Sequence, residues 1–391
     1  MKSTNTIRVL GKGGTAQAVK QRFDNVVLYD DSDFSNYDKE SNDITIVSPG
    51  IPPSNEMVLK SNNIQSDYDL FADDMPFSIW ISGTNGKTTT TQMCQHLLED
   101  KGSVCGGNIG TAVSLLDENA PIWILETSSF TFHYIKRAKP SLYILLPISE
   151  DHISWHGSYE DYKKAKLKPL DMMIEGEIAI VPEEFKDYPT SCLKITYKDS
   201  DELCEKFDIN KDEIKFKEPF LLDAILALAS KKIIFDEVDY KRINSFKIDE
   251  HKVEEFYDKK NRLWINDSKA TNVDATINAL APYLNKKIYL IVGGDDKGAN
   301  LEPLFKYIKD LDIEIYAIGT NINRVKSFCE KFNVKFFETK NLENSVKEID
   351  KKHDLSGVAM LSPAASSLDQ FASYAVRGKE FKDLVFGLSK L

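Results

Sequence analysis

Residues 78–91 read Ser-Ile-Trp-Ile-Ser-Gly-Thr-Asn-Gly-Lys-Thr-Thr-Thr-Thr, and this stretch decides the fold. An apolar run ends in a loop that contains Gly83 and Gly86, and a helical pattern begins at Lys87. In a strand, loop and helix of this kind, backbone N–H groups close on phosphate oxygens, the lysine adds positive charge, and Thr88 offers its hydroxyl to Mg²⁺. The stretch therefore predicts a site for a nucleoside triphosphate in an α/β domain.

The spacing of the glycines differs from the commonest form of this loop. That form has a glycine five residues before the glycine–lysine pair, where this chain has Ile81. An ordinary strand–turn–helix with a surface lysine is the alternative, but strand, glycines, lysine and hydroxyl occur in the order that phosphate binding requires. The predicted nucleotide-binding residues are Gly83, Thr84, Asn85, Gly86, Lys87, Thr88 and Thr89.

Composition limits the class of protein. The chain has 391 residues, enough for two or three domains, and its 42% hydrophobic and 28% charged residues are typical of a soluble globular protein. A formal net charge of -11 argues against nucleic acid or an anionic membrane as the main partner. The first residues lead into a strand rather than a signal peptide, and no apolar run reaches the roughly 20 residues of a membrane span, so we expect a cytoplasmic protein. Five scattered cysteines predict reduced packing residues.

The first strand leads into a glycine-rich turn. Residues 7–10 are apolar, and Gly-Lys-Gly-Gly-Thr-Ala follows at 11–16. A second strand at 25–31 ends in acidic residues, where Asp30 could accept hydrogen bonds from a ribose or a base. A third strand, 43–47, leads into Ser-Pro-Gly-Ile-Pro-Pro. The pattern is an imperfect dinucleotide-binding fingerprint, so a purely structural turn stays open as the alternative.

Strands and helices alternate after the phosphate loop, which predicts a parallel sheet with helical crossovers. Lys87, Asn108, Glu126 and His152 each follow a predicted strand, so we expect them to converge on one edge of that sheet. Taken singly, Glu126 and His152 have ordinary explanations as a residue near a helix cap and a loop imidazole. Together, beside a phosphate loop, they are candidate magnesium ligands or neighbours of such ligands.

A predicted helix at 159–170 carries Lys163, Lys164, Lys166 and Lys168. A run of charge of this kind usually marks a solvent-exposed face, and the residues alone predict that here.

Little chemistry is visible between 176 and 245. We place domain boundaries near residues 75 and 248.

The last third of the chain also alternates strands and helices. Strands predicted at 263–265, 288–292 and 357–361 are each followed by a cluster of polar residues. Because ligands bind at the carboxyl ends of strands in α/β sheets, these clusters predict a second ligand edge.

Several runs resemble a known family. The loop at 83–89, followed by Gly-Asn-Ile-Gly, Glu-Thr-Ser-Ser-Phe, Glu-Asp-His and Lys-Ala-Lys-Leu-Lys, resembles the central domain of the Mur ligases, the ATP-dependent amide-forming enzymes of peptidoglycan synthesis. The later runs Asn-Asp-Ser-Lys-Ala-Thr-Asn and Ser-Pro-Ala-Ala-Ser-Ser-Leu-Asp-Gln-Phe resemble the member that adds D-glutamate to UDP-N-acetylmuramoyl-L-alanine.

The resemblance implies three α/β domains, each with a mainly parallel sheet flanked by helices. They would be a UDP-binding domain at 1–75, an ATP-binding domain at 76–248 and an amino-acid-binding domain at 249–391. It also implies a monomer that uses ATP and Mg²⁺, with two ions, and that takes UDP-N-acetylmuramoyl-L-alanine and D-glutamate as substrates, with neither nucleic acid nor membrane as a partner.

Site roles follow from the resemblance residue by residue. Lys87 and Thr88 would hold the ATP phosphates and Mg²⁺, with Glu126 on that ion and His152 on a second. The carbamylated lysine of the family falls on Lys166, which reverses the solvent-exposed interpretation. The remaining implied contacts are with ATP for Asp267 and Lys269, beside His251; with the muramoyl substrate for Asn108 and Ser128; with D-glutamate for Thr271, Lys297, Ser367, Leu368 and Tyr374; and with UDP for Gly13, Gly14, Thr15, Asp30, Ser48 and Gly50.

Three departures from the family pattern accompany the resemblance. Lys252 stands where arginine is common, Tyr374 replaces a usual phenylalanine, and the family's His-Asn-x-x-Asn run is missing near Pro219 and Asp223. The last departure puts the adenine contacts in doubt. A sibling ligase for another amino acid, a folate polyglutamylating ligase and a nonenzymatic nucleotide sensor are the alternatives.

Overall fold

The computed structural model describes residues 6–388, which form two compact units. One unit comprises the chain up to Phe216 together with Phe220–Phe246, and the other comprises Lys217–Pro219 and the chain from Lys247 onward. Residues 1–5, which we predict to lead into the first strand without a signal peptide, lie outside the described residues. None of the helices within 6–388 has the length and apolar content that a membrane span requires.

The first unit begins with a small parallel sheet in the order β2-β1-β3-β4. Its elements are β1 (Ile7–Leu10), α1 (Gly14–Arg22), β2 (Val26–Tyr29), β3 (Ile44–Val47), α2 (Glu56–Leu59) and β4 (Ile64–Gln65). All four residues of β1 are buried, as expected of the central strand of a parallel sheet. The carboxyl ends of β1 and β2 lead directly into the glycine turn and Asp30.

A second sheet of the same unit has six parallel strands in the order β10-β9-β8-β5-β7-β6. Its strands are β5 (Phe77–Ser82), β6 (Ser103–Gly107), β7 (Ile122–Glu126), β8 (Leu142–Leu145), β9 (Ile178–Pro182) and β10 (Leu193–Tyr197). The accompanying helices are α3 (Lys87–Leu98), α4 (Ser129–Tyr134), α5 (Ile153–His156), α6 (Tyr159–Met172), α7 (Ser200–Phe207), α8 (Phe220–Phe235) and α9 (Tyr240–Ser245). Since β5 lies between β7 and β8, the loops that follow these three strands share one edge.

The second unit contains a six-stranded sheet in the order β11-β12-β16-β13-β14-β15. Its strands are β11 (Glu254–Tyr257), β12 (Leu263–Asn266), β13 (Ile288–Gly293), β14 (Ile313–Ile318), β15 (Lys335–Lys340) and β16 (Val358–Leu361). Its helices are α10 (Val273–Leu280), α11 (Glu302–Ile308), α12 (Ile322–Phe332), α13 (Leu342–Asp350) and α14 (Tyr374–Phe386). Successive residues of β13 alternate between two hydrophobic clusters, so helices cover both faces of the sheet.

The predicted fold class is confirmed, because all three sheets are mainly parallel and flanked by helices. The division into three domains at 75 and 248 stays a prediction. β4, β11 and β15 were not predicted from the sequence, and β6 was expected only as a strand of unstated bounds before Asn108. These strands are short or carry charged residues, and β11 pairs antiparallel with β12 as a hairpin, outside the strand–helix alternation that identified the others.

One buried ion-pair network ties the β11–β12 hairpin to the end of α13. The Arg262 guanidinium donates to Asp258 Oδ2 (2.7 Å from Nε) and Asp350 Oδ1 (2.5 Å from Nη2), and to the carbonyl oxygens of Asp350 and His353. Asp258 also accepts a hydrogen bond from the buried indole of Trp264 (3.0 Å). Removing the guanidinium would leave the buried Asp258 carboxylate and two carbonyl oxygens without their cation, whereas Asp350 would keep its contact with Lys260 (3.2 Å).

We expect Arg262→Ala to lower the free energy of unfolding by about 3–5 kcal/mol, the effect of breaking a buried pair by removing one partner. Urea denaturation would measure it. Lys347→Ala is the matched control, because it breaks an exposed pair with Glu343 on α13 and should change stability by less than about 0.5 kcal/mol. Equal effects of the two substitutions would contradict this account of the network.

Candidate functional site

The phosphate loop has a backbone conformation that favours glycine at two positions. Gly83 has a φ of 143°, and a Cβ atom there would lie 2.4 Å from Leu146 Cβ. Gly86 has a φ of 85° and precedes the first turn of α3, which begins at Lys87. The loop therefore closes tightly against the neighbouring strand and presents the amino-terminal end of a helix, which favours bound anions.

The Lys87 side chain bonds to the backbone of its own loop. Its Nζ donates hydrogen bonds to the carbonyl oxygens of Gly83 (3.0 Å) and Thr84 (2.7 Å). The carbonyl groups are thus turned toward the amine. This arrangement places the positive charge of Lys87 in the loop that the sequence predicts to hold phosphate.

Three predicted residues meet at the carboxyl end of β7. Glu126 is 2% exposed. Its Oε2 accepts from Thr88 Oγ1 (2.7 Å) and its Oε1 from Asn108 Nδ2 (2.8 Å). A hydroxyl and a carboxylate beside a phosphate loop are hard oxygen ligands of the kind that Mg²⁺ takes together with phosphate and water.

Lys166 lies on the other side of the same loop. Its side chain is 1% exposed, and its Nζ donates to Gly83 O (2.7 Å) and Ser82 Oγ (3.3 Å). It also lies 4.8 Å from the centre of the Tyr162 ring. Burial, and secondarily the charge of Lys87, lower the pKa of Lys166 well below its ordinary value. The solvent-exposed interpretation is therefore wrong for Lys166, because this position of α6 turns inward against β5.

His152 and Ser128 follow the two strands that flank β5. His152 adopts a left-handed conformation (φ 53°) just before α5, and its ring packs on Phe130 with centroids 4.8 Å apart. Ser128 caps α4, where its Oγ accepts from Thr131 N (3.1 Å). Among the described residues, no group of three or more His, Cys, Asp or Glu side chains is placed to hold a metal ion. A second ion at His152 would thus need ligands of another kind.

Asp223, near the place of the missing family run, also contacts the loop. It is buried on α8, accepts from Thr90 Oγ1 (2.8 Å), and its Oδ1 lies 2.6 Å from the Cβ position of Gly86. Sequence reasoning named Asp223 without foreseeing this contact, and it missed Ser82 and Tyr162 as neighbours of Lys166. The one available signal was that Ser82 and Asp223 are polar residues in the otherwise apolar β5 and α8, whereas Tyr162 lies in a charged helix and offered no such signal.

The predicted UDP residues surround the carboxyl ends of β1, β2 and β3. Space is open in front of Gly13, Gly14 and Gly50, where an added Cβ would meet nothing within 4 Å. Thr15 follows in α1, and Ser48 follows β3. Asp30 bonds with Lys12 (2.7 Å), and chiefly this contact, followed by that from Ser32, lowers the pKa of Asp30 to about 2.

The predicted ATP residues of the second unit lie after β12. Asp267 is buried, its Oδ2 accepts from Ser362 Oγ (2.6 Å), and burial raises its pKa to about 7. Lys269 places its amine 4.2 Å from the centre of the Tyr374 ring, and its backbone N–H donates to His251 O (3.0 Å). The structure therefore brings His251, Lys269 and Tyr374 together.

Three of the predicted D-glutamate residues, Lys297, Ser367 and Leu368, lie on two loops that bond to each other. Asp295 and Ser366 exchange two backbone hydrogen bonds (2.9 and 3.0 Å), which joins the loop of Lys297 to that of Ser367 and the exposed Leu368. Thr271 is exposed just before α10.

Two sets of polar contacts hold these loops. The Arg377 guanidinium donates to the carbonyl oxygens of Ser268 (2.8 Å) and Ala365 (3.2 Å). Asp296, next to Lys297, pairs with Arg324 and accepts from Asn321 Nδ2 (2.8 Å). None of these residues was predicted from the sequence to position a loop.

Comparison with known proteins gives the family. Residues 81–220 match the Mur ligase middle domain. A UDP-N-acetylmuramoylalanine–D-glutamate ligase of Campylobacter jejuni is 51% identical over 90% of this chain and 87% of its own length. One from Helicobacter pylori is 42% identical over 97% of this chain and 99% of its own length. The chain belongs to the UDP-N-acetylmuramoylalanine–D-glutamate ligase family.

Solved structures of other Mur ligases share the fold of this ligase family member. MurF of Thermotoga maritima in complex with ADP aligns with 97% of this chain and 94% of its own, with a TM-score of 0.61 and 16% identity. MurC of the same organism gives a TM-score of 0.55 over 97% of this chain and 98% of its own, with 14% identity. At these identities the similarity shows the fold alone.

We expect Gly83→Ala to lower kcat/KM for ATP by about 100-fold, because backbone strain and displacement of the loop together cost about 3 kcal/mol. Steady-state ADP release would measure it. Gly176→Ala is the control, since Gly176 also has a positive φ (93°) but open space around it. It should lose stability without losing ATP turnover, and a Gly83→Ala enzyme that retains turnover would contradict the loop geometry.

Proposed function

We propose that the protein joins the amine of D-glutamate to the L-alanyl carboxylate of UDP-N-acetylmuramoyl-L-alanine at the expense of ATP, in cytoplasmic peptidoglycan precursor synthesis. The observation that carries the proposal is near full-length similarity to ligases of that name. The arrangement of Thr88 and Glu126 at a lysine-containing phosphate loop supports it. The protein acts as a monomer, with neither nucleic acid nor membrane as a partner.

The chemistry has two steps. An oxygen of the alanyl carboxylate bonds to the γ-phosphorus of ATP while the β,γ-bridging bond breaks, which gives an acyl phosphate and ADP. The amine of D-glutamate then attacks the acyl carbon, loses a proton, and phosphate leaves. Lys87, the loop N–H groups and the amino-terminal end of α3 supply positive potential where negative charge gathers on the transferred phosphoryl group.

Thr88 and Glu126 would hold the Mg²⁺ that accompanies ATP. Their oxygens lie 2.7 Å apart, and the Asn108 amide fixes the second Glu126 oxygen, so the donor set suits a hard cation completed by phosphate and water. The ion would offset charge on the phosphates. His152 and a modified Lys166 would hold a second ion.

Lys166 is suited to carbamylation. Only a neutral amine attacks carbon dioxide, and burial favours the neutral form of this lysine. The N–C bond forms as the amine loses a proton, and the product carries two carboxylate-like oxygens. That gives α6 a hard oxygen ligand next to Ser82 and Gly83, where the unmodified amine offers none.

The substrates occupy the remaining predicted residues. Asp267 and Lys269 contact ATP with His251 beside them, and Asn108 and Ser128 face the muramoyl group. Lys297 offers a positive charge to a D-glutamate carboxylate. The other proposed contacts are with D-glutamate for Thr271, Ser367, Leu368 and Tyr374, and with UDP for Gly13, Gly14, Thr15, Asp30, Ser48 and Gly50.

A panel of amino acids tests the function. With ATP and UDP-N-acetylmuramoyl-L-alanine, we expect phosphate release with D-glutamate and at least about 100-fold less with L-glutamate, D-aspartate, L-lysine or L-serine, because a site built around particular polar groups rejects mismatched ones. Lys87→Ala should release no phosphate while remaining folded. Preference for another amino acid would indicate a sibling ligase, and ATP binding without turnover would indicate a nucleotide sensor.

Lys166→Ala should reduce turnover by at least about 100-fold, since it removes a preorganised group at the reacting phosphate. Added formate or acetate should restore part of the activity by replacing the carbamate oxygens. Lys164→Ala, on the exposed face of the same helix, is the control and should retain activity. Loss of activity without rescue at any carboxylate concentration would count against carbamylation, and full activity without the lysine would remove its role.

A further inference from the structure

Lys12 lies inside the glycine turn of the first unit, in a position that the function above does not use. Its Nζ bonds to Asp30 Oδ2 (2.7 Å) and Asp33 Oδ2 (3.0 Å). Asp30 is one of the residues proposed to contact UDP. Its Oδ1 already accepts from the backbone N–H and hydroxyl of Ser32 (3.0 and 2.5 Å). Both carboxylate oxygens of Asp30 therefore already have partners: Oδ1 bonds with Ser32 and Oδ2 bonds with Lys12.

The ion pair is poorly suited to stabilising the fold. The side chains of Lys12, Asp30 and Asp33 are 47%, 40% and 37% exposed, and exposed pairs of this kind contribute little to stability. Such a pair is readily exchanged for another ionic partner. A lysine has a flexible four-carbon stem, so its ammonium can move without any change in the backbone.

The turn around Lys12 leaves room and donors for an anion. Nothing lies within 4 Å of a Cβ position at Gly13 or Gly14. Among the described residues, Ser48 Oγ is buried without a hydrogen-bond partner, and it lies 2.6 Å from the Cβ position of Gly11. An unsatisfied hydroxyl and an open glycine turn, in the same loop region as an exposed ammonium, are features of a site that a polar ligand completes.

We propose that Lys12 is a diphosphate-binding residue that exchanges its resting partners Asp30 and Asp33 for the diphosphate of the UDP substrate. The exchange gives the substrate anion a cation and at the same time frees Asp30 Oδ2 to accept a hydrogen bond from the nucleoside. Asp33 keeps its place because its Oδ2 also accepts from Asp30 N (2.9 Å). The inference rests on the proposed function, which places UDP at this turn.

Titration calorimetry of the full chain with UDP and with uridine tests the exchange. In Lys12→Met, UDP affinity should fall about five- to tenfold, the effect of one exposed charge-assisted hydrogen bond. Uridine has no diphosphate, so its affinity should stay the same or rise as Asp30 is released. Lys20→Met is the control. It removes a lysine from the last turn of α1, the helix that follows the glycine turn, and should bind UDP and uridine as wild type does.

Asp33→Asn separates this proposal from a fixed ion pair. The substitution weakens the resting partner of Lys12 but keeps an oxygen for Asp30 N, so UDP should bind as tightly as to wild type or up to about twofold tighter. If the pair only held Asp30 in position, Asp33→Asn would weaken UDP binding as Lys12→Met does, and Lys12→Met would weaken UDP and uridine equally. Either result would overturn the exchange.

The outcomes also separate this inference from the proposed function. Unchanged UDP affinity in Lys12→Met, with wild type binding UDP, would reject the role of Lys12 and leave the ligase assignment intact. If wild type bound neither UDP nor uridine, UDP would not be the group that the turn holds, and both the placement of the substrate and the role of Lys12 would fail.

Discussion

The carbonyl oxygen of Gly83 accepts hydrogen bonds from two lysine amines, Lys87 Nζ at 3.0 Å and Lys166 Nζ at 2.7 Å. A carbonyl oxygen has two lone pairs, so both bonds can form at once. The arrangement requires a backbone conformation at Gly83 that other residues rarely adopt. It also places two amines near each other, so the charge of one disfavours the charge of the other. Since Lys166 is the buried member, it is the amine whose pKa falls well below its ordinary value.

The order of strands explains how distant segments meet at this oxygen. β5 carries the loop, and its neighbours β7 and β8 lead to Glu126 and to the segment before α6. Parallel strands end at the same edge, so the carboxylate and the buried lysine approach the loop from opposite sides. Glu126 bonds with Thr88 and Asn108, whereas Lys166 bonds with the loop backbone. The Glu126 carboxylate and the Lys166 amine thus stay separated by the phosphate loop.

Much of this edge could be predicted from sequence, because strand, glycines, lysine and hydroxyl are contiguous between 78 and 91. Glu126 could be predicted as well, since it ends an apolar strand. The inward direction of Lys166 could not be predicted from charge, because Lys163 and Lys164 on the same helix are partly or fully exposed. Its contacts with Ser82 and Tyr162 depend on packing between elements, and so does the contact of Asp223 with Thr90 across 133 positions. The strands β11 and β15 could not be predicted in the same way, because charged residues take up part of each strand and leave no apolar run.

Both units hold their ligand edges by the same physical device. Buried basic side chains bond to backbone carbonyl oxygens instead of carboxylates: Lys166 to Gly83 in the first unit, and Arg377 to Ser268 and Ala365 in the second. Burial without a carboxylate partner lowers the pKa of each group, and that of Arg377 falls to about 10. A buried cation of this kind costs stability that an apolar side chain of similar size would not. Carbonyl bonding nevertheless turns the oxygens of a loop inward, so the N–H groups and the positive charge remain for an anionic substrate. The loss of stability is therefore what these edges would require in order to bind phosphate and carboxylate groups in the proposed reaction.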